Sequence, residues 1–184
     1  MGDFFMLNNI EDVMMYASIA HKDQKMMEPE VPYLTHVFGV FLNVVEAYYN
    51  GNEKFDLDYA LKVAILHDTI EDTSLTYENI KEKYGKDIAD GVLALSKNKK
   101  IKKEDQIIDS IERIKKCRIE VQIVKMADRT YNMRCRPSLW NEQRCLNYIN
   151  EAKYILKELG ESSKYLKEKL SKNISNYMLK ESSL

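Results

Sequence analysis

Apolar residues recur at three- and four-residue intervals along most of this chain, and little interrupts them. Ile10, Val13, Met14, Ala17 and Ala20 fall on one helical face, as do Cys145, Ile149, Ala152, Leu156 and Leu159. Only six glycines and three prolines punctuate 184 residues, so long regular elements and short turns are expected. No segment has the alternation of a half-buried strand. The spacing predicts a first helix capped by Asn9, with Glu11 and Asp12 near its positive end. A loop over 23–32 follows, then a helix from Tyr33 to Tyr49 ended by Asn50-Gly51-Asn52. Asp56 or Asp58 caps the apolar run Ala60–Leu66. Thr76 opens a helix that stops at Gly85, and Asp87 opens another. Helices resume near Asp105 and Ile119, Pro137 marks a break, and a long helix runs from about Asn141 to Leu159, with Gly160 as its stop. The expected fold is all-α, one helical bundle over 1–184. Its core covers about 10–160, and in the tail over 161–184 Leu166, Leu170, Ile174 and Tyr177 can dock.

A chain of this length can bury roughly 70% of its unfolded surface. Its formal net charge is −1, from 28 basic and 29 acidic residues, so no global field draws it to nucleic acid or to a membrane. Cys117, Cys135 and Cys145 have no CxxC spacing, which excludes a disulfide framework or zinc knot and suits reduced thiols. The first seven residues carry Asp3 and no basic cluster, unlike a secretory leader. No apolar run approaches the ~18 residues of a membrane span. A cytoplasmic protein is expected, and the sequence sets no oligomeric state.

The chemistry concentrates in His67-Asp68-Thr69-Ile70-Glu71-Asp72, directly after the apolar run. Charged groups at the end of a buried helix are costly unless paired or bound to a metal. If the helix continues, His67 lies above Glu71 and Asp68 above Asp72. His67 and Asp68 are then candidate metal ligands. Glu71 and Asp72 are candidates to polarise a water or protonate a leaving oxygen. His36, in Pro32-Tyr33-Leu34-Thr35-His36, and Asp128, closing the apolar run from Val121, add a second histidine and a second aspartate. Two His and two Asp suit Mn, Fe or Zn better than the all-oxygen shells of Mg or Ca. Read singly, each residue has an ordinary alternative. His36 can be a satisfied core histidine, and Asp128 can pair with Lys125 or Arg129. The basic run Lys97–Lys103 reads first as a solvated surface loop, and second as an attractor for a polyphosphate tail.

His36, His67-Asp68 and Asp128 match the H…HD…D pattern of the HD-domain phosphohydrolases. Ala20-His21-Lys22-Asp23-Gln24, the Pro32–His36 segment, Leu66–Thr73 and Val124–Arg134 resemble more narrowly the hydrolase domain of RelA/SpoT-type alarmone enzymes. The nearest analogues are the stand-alone small alarmone hydrolases, over about residues 10–160. The resemblance implies an all-helical fold and one Mn ion held by His36, His67, Asp68 and Asp128. It implies catalysis by Glu71 and Asp72, and a small-molecule nucleotide bound through Asn132, Lys25, Arg129 and Tyr148. The implied reaction removes the 3′-pyrophosphate of guanosine tetra- or pentaphosphate. Alternatives are an HD phosphohydrolase of another phosphorylated nucleotide, or an inactive nucleotide sensor. Two departures stand out. Met26-Met27 replaces the Arg-Lys pair that helps those enzymes hold the guanine nucleotide, and Val37 follows His36 where they have proline. His21, outside the ligand pattern, is expected to make a structural hydrogen bond.

Overall fold

A computed structural model describes residues 2–26 and 28–179. Among the described residues ten α-helices follow one another: α1 (Gly2–Ala20), α2 (Leu34–Asn50), α3 (Leu57–Leu66), α4 (Thr69–Asp72), α5 (Tyr77–Tyr84), α6 (Lys86–Leu95), α7 (Gln106–Ile114), α8 (Ile119–Asn132), α9 (Glu142–Leu159) and α10 (Lys164–Leu179). Among the described residues there is no strand, only an isolated bridge between Lys25 and Pro32 within the loop ahead of α2.

Most boundaries follow local chemistry. Thr76 and Asn79 form a reciprocal capping box at the start of α5, an arrangement that satisfies two otherwise unpaired backbone N–H groups. Gly85, at φ +90°, makes the sharp turn into α6, a backbone angle that glycine alone adopts freely. Asn141 caps α9 by accepting from the Arg144 N–H. The start of α1 departs from expectation. The helix begins at Gly2 and Asn9 lies inside it, since an interior asparagine costs only a few tenths of a kcal/mol.

Two helices form the centre. Every residue of α3 from Tyr59 to Leu66 is buried except Lys62, and α8 is buried over most of its length. Ile65, Leu66, Ile123 and Met126 are fully buried, each worth roughly 1.5–3 kcal/mol of transfer free energy. α2 and α1 pack on α3, and α6 packs on both central helices. α10 closes the far side against α8, α9 and α2, burying Leu166, Leu170, Ile174 and Tyr177.

The starts of α3 and α8 are tied together. Asp56 caps α3 by accepting the Tyr59 N–H at 3.0 Å. The Asp56 N–H donates to the Glu120 carboxylate at 2.8 Å, and Arg118 pairs with Asp56 at 3.0 Å. From these tied ends both helices rise about 1.5 Å per residue. His67 follows the start of α3, and Asp128 the start of α8, by nearly the same number of residues, so both arrive at one level. α2 runs antiparallel to α3 through a short loop, which returns its first turn, carrying His36, to that same level. The Asn43 side chain fixes the register by donating to the Ala127 carbonyl at 2.9 Å, one residue before Asp128.

Candidate metal and catalytic site

The four expected ligands come together at this level. The Nε2 atoms of His36 and His67 are 3.1 Å apart. Asp68 Oδ2 lies 2.8 Å from His67 Nε2 and 3.3 Å from His36 Nε2, and Asp128 Oδ1 lies 3.6 Å from His36 Nε2. One donor atom from each of His36, His67 and Asp128 falls within 4.8 Å of the others. The His67 ring is oriented from behind. Its Nδ1–H donates to the Ala64 carbonyl at 2.8 Å, leaving the Nε2 lone pair for the cluster, the arrangement of a metal-ligating histidine. Both aspartates are steadied as well. Tyr33 donates its hydroxyl to Asp68 Oδ2 at 2.5 Å, Lys125 pairs with Asp128 Oδ2 at 3.2 Å, and Asn132 donates to Asp128 Oδ1 at 2.6 Å.

The electrostatics suit a cation. Burial alone would raise both carboxyls. The His67 and His36 imidazoles outweigh it and hold Asp68 well below the carboxylate range. Lys125 and both histidines likewise outweigh burial at Asp128 and lower its pKa. Burial would lower His67, yet the Asp68 and Asp128 charges overcome it and push the imidazole up to about 9. Two imidazole nitrogens and two ionised carboxylates facing one buried point form a donor set that fits a divalent first-row ion.

The HDxxED run is not one continuous helix. α3 ends at Leu66, and the short α4 begins only at Thr69. The turn at His67 and Asp68 breaks the expected stripes and separates the two carboxylates that follow. The Glu71 carboxylate accepts from the Lys97 N–H and from Lys97 Nζ, both at 2.8 Å, and Lys99 Nζ donates to the Glu71 carbonyl at 2.8 Å. The start of the basic run is therefore tied to Glu71 and is not a free solvated loop. Asp72 is exposed at the edge of the cluster, with its carboxyl partly shielded from water. Burial and the neighbouring Asp68 and Glu71 charges raise its pKa, with Lys97 and the Gln24 side chain opposing. Gln24 is itself held, its Oε1 accepting from His21 Nδ1 at 2.7 Å. His21 thus makes the expected structural bond.

Two cavities meet at the cluster. One of about 280 Å³ contains His67, Asp68, Asp128, Glu71 and Asp72, with Lys97, Lys103 and Lys125 supplying positive charge. The other, about 380 Å³, is more aromatic, with Tyr131, Trp140 and Tyr177 on its wall and His36 at its inner end. Tyr33, Asn132 and Tyr148 belong to both. Lys25 reaches the aromatic cavity while pairing with Glu30 at 2.6 Å. Arg129 is only 5% exposed. It stacks on Tyr148 with its guanidinium carbon 4.1 Å from the ring centre and pairs with Glu151 at 3.1 Å. Met26 lines the aromatic cavity, and Met27 lies outside the described residues. The sequence assigns no role to Tyr33 or Gln24, and shows Lys97 only as part of a basic run. Tyr33 sits three residues before His36 in a segment already singled out, but nothing local links it to Asp68, 35 positions on.

The HD-domain family model matches residues 14–159. This chain belongs to the HD-domain family. Within that family its relatives include the guanosine-3′,5′-bis(diphosphate) 3′-pyrophosphohydrolase MESH1 of Xenopus tropicalis, 34% identical over 84% of this chain and 87% of the relative. The MESH1 protein of Danio rerio is 30% identical over 84% of this chain and 86% of the relative. The bifunctional (p)ppGpp synthase/hydrolase SpoT of Escherichia coli is 34% identical over 75% of this chain, a match confined to 19% of SpoT. A solved structure of a metazoan ortholog of SpoT that hydrolyzes ppGpp superposes with a TM-score of 0.79, at 27% identity, covering 91% of this chain and 94% of that one. The all-helical fold agrees with this neighbour. No helix among the described residues is long and apolar enough to cross a membrane.

Proposed function

We propose that this HD-domain protein removes the 3′-pyrophosphate of guanosine tetra- and pentaphosphate, releasing GDP or GTP and pyrophosphate. The observation that carries this reading is the convergence of His36, His67, Asp68 and Asp128 beside Glu71 and Asp72 in a chain that matches stand-alone pyrophosphohydrolases along most of their length. His36, His67, Asp68 and Asp128 would hold one divalent ion, Mn in preference to Fe or Zn. When bound, it neutralises phosphate charge and lowers the pKa of a water.

The protein's own groups then divide the work. The bond that breaks joins ribose O3′ to the inner phosphorus. The water oxygen ends on the released pyrophosphate, and O3′ takes a proton. Asp72, whose carboxyl holds its proton to a higher pH than usual, is placed to deliver that proton. Glu71, fixed by Lys97, takes the proton of the water. Asn132 bridges from Asp128 into both cavities and holds the ribose between them. Tyr148, backed by the buried Arg129, closes the junction. Lys25 lies on the nucleoside side. The whole chain, 1–184, acts as one catalytic domain.

The reading is tested by a Mn-supplemented panel of guanosine tetraphosphate, its adenosine counterpart, GTP and GDP, followed by anion exchange. Consumption confined to the 3′-substituted nucleotides and abolished in Asp68→Ala supports it. A metal-loaded protein that consumes none of them overturns it. The second reading, a different phosphorylated nucleotide, draws on Met26 in the cavity wall, and preference for the adenosine compound would establish it.

A further inference from the structure

Among the described residues the entry loop supplies the aromatic cavity with one cation, Lys25. Met26 stands there, and Lys25 is engaged by Glu30. Two further cations line the same cavity, Arg134 and Arg144, and Arg144 lies over Trp140. Arg134, just past the end of α8, lines the wall with its guanidinium carbon 3.4 Å from the centre of the Tyr131 ring. That ring cannot drift. Its hydroxyl donates to the Thr35 carbonyl at 3.0 Å, its edge meets the His36 ring at 5.2 Å between centres, and it fills the space that a side chain on Gly39 would need. Among the described residues no carboxylate pairs with Arg134 and no acceptor takes its guanidinium N–H groups. An exposed guanidinium held against an aromatic ring, with its donors unspent, has already lost part of its rotamer freedom, which lowers the cost of binding.

We propose that Arg134 is the residue that selects guanine: its guanidinium, held over the anchored Tyr131 ring at the cavity wall, donates to the O6 and N7 acceptors of the base. Guanine presents two acceptors on that edge, which match the arginine fork. Adenine replaces one of them with an amino donor, and the pairing is lost. This inference rests on the proposed guanine-nucleotide reading of the same site.

The test is equilibrium binding of GDP and ADP, by calorimetry, to the full chain with and without Mn. Neither nucleotide carries a 3′-pyrophosphate, so the readout does not depend on turnover. Wild type is expected to favour GDP by about tenfold or more, the scale of one bidentate arginine–guanine contact. Arg134→Gln should weaken GDP by that factor and leave ADP unchanged, so that the preference disappears. Arg134→Lys keeps the charge without the fork and should recover less than half of the lost factor on a logarithmic scale. Tyr131→Phe keeps the ring and should keep the preference. An unchanged GDP/ADP ratio in Arg134→Gln overturns the proposal. Equal weakening of both nucleotides also overturns it, because it marks a phosphate contact, as does full rescue by lysine. If the wild type binds GDP selectively yet hydrolyses no 3′-pyrophosphate, the catalytic reading fails while the Arg134 ratio still decides this one. Arg134 is exposed, and matched melting temperatures confirm that each variant is folded.

Discussion

Gly39→Ala is a small substitution that should have a large effect. A Cβ at position 39 would lie 1.7 Å from Cε2 and 2.1 Å from Cδ2 of Tyr131. Ordinary carbon contacts begin near 3.5 Å, so the ring must retreat by nearly 2 Å. Its hydroxyl bond to Thr35 and its edge contact with His36 resist that movement. Helix propensity opposes the clash, since alanine stabilises a helix interior by about 1 kcal/mol relative to glycine. Overpacking typically costs about 1–3 kcal/mol, and an overlap this deep belongs at the upper end. The expected net change is a loss of about 1–2 kcal/mol in urea unfolding, with weakened Mn binding as His36 is displaced. Tyr131→Ala in the same chain should remove the conflict, making the double variant more stable than the sum of the single changes. A stabilised Gly39→Ala protein would mean that propensity prevails and that the Tyr131–Gly39 contact does not anchor the site.

Other perturbations test the remaining contacts. Asp68→Ala should abolish tight Mn binding, and retained affinity by calorimetry would remove Asp68 from the ligand set. Glu71→Gln and Asp72→Asn should both spare metal binding while lowering kcat by about 10²–10⁴-fold, the usual share of general acid–base assistance; near-normal turnover in either variant would remove that residue from the mechanism. Lys97→Met should lower kcat without lowering metal affinity, because it frees Glu71 and leaves the four ligands intact. The His67 imidazole, raised to about 9 in the metal-free protein, contributes stability that is fully present below its unfolded value of about 6.5 and is lost as pH rises through 9. A metal needs the neutral ring, so Mn affinity should climb with pH over that window with protons released on binding. An affinity independent of pH would contradict the assignment.

The sequence exposed the site better than its wiring. His36, His67, Asp68 and Asp128 were legible because each ends or opens an apolar helical run, and α3 and α8, which bring in His67, Asp68 and Asp128, start from ends tied by Asp56, Glu120 and Arg118. Helix positions were legible for the same reason, with Thr76, Gly85 and Asn141 marking boundaries by their own chemistry. What failed was continuity. The break between α3 and α4 cannot be read from Leu66-His67-Asp68-Thr69, where no proline or glycine intervenes, and it is imposed by tertiary contacts such as Tyr33 to Asp68. The Lys97 bond to Glu71 spans 26 positions and carries no local signal, so a basic run looked like solvated surface. The stack of Arg129 on Tyr148 was hidden for the same reason, since each residue alone has an ordinary reading.

The most direct test of the central claim is to identify the phosphate product released from guanosine tetraphosphate by the Mn-loaded protein. Phosphorus NMR of the reaction mixture distinguishes the products. One equivalent of pyrophosphate per GDP formed, absent in Asp68→Ala, is the predicted result. Release of orthophosphate, or an unchanged nucleotide with the metal bound, would contradict the assignment of a 3′-pyrophosphohydrolase to this site.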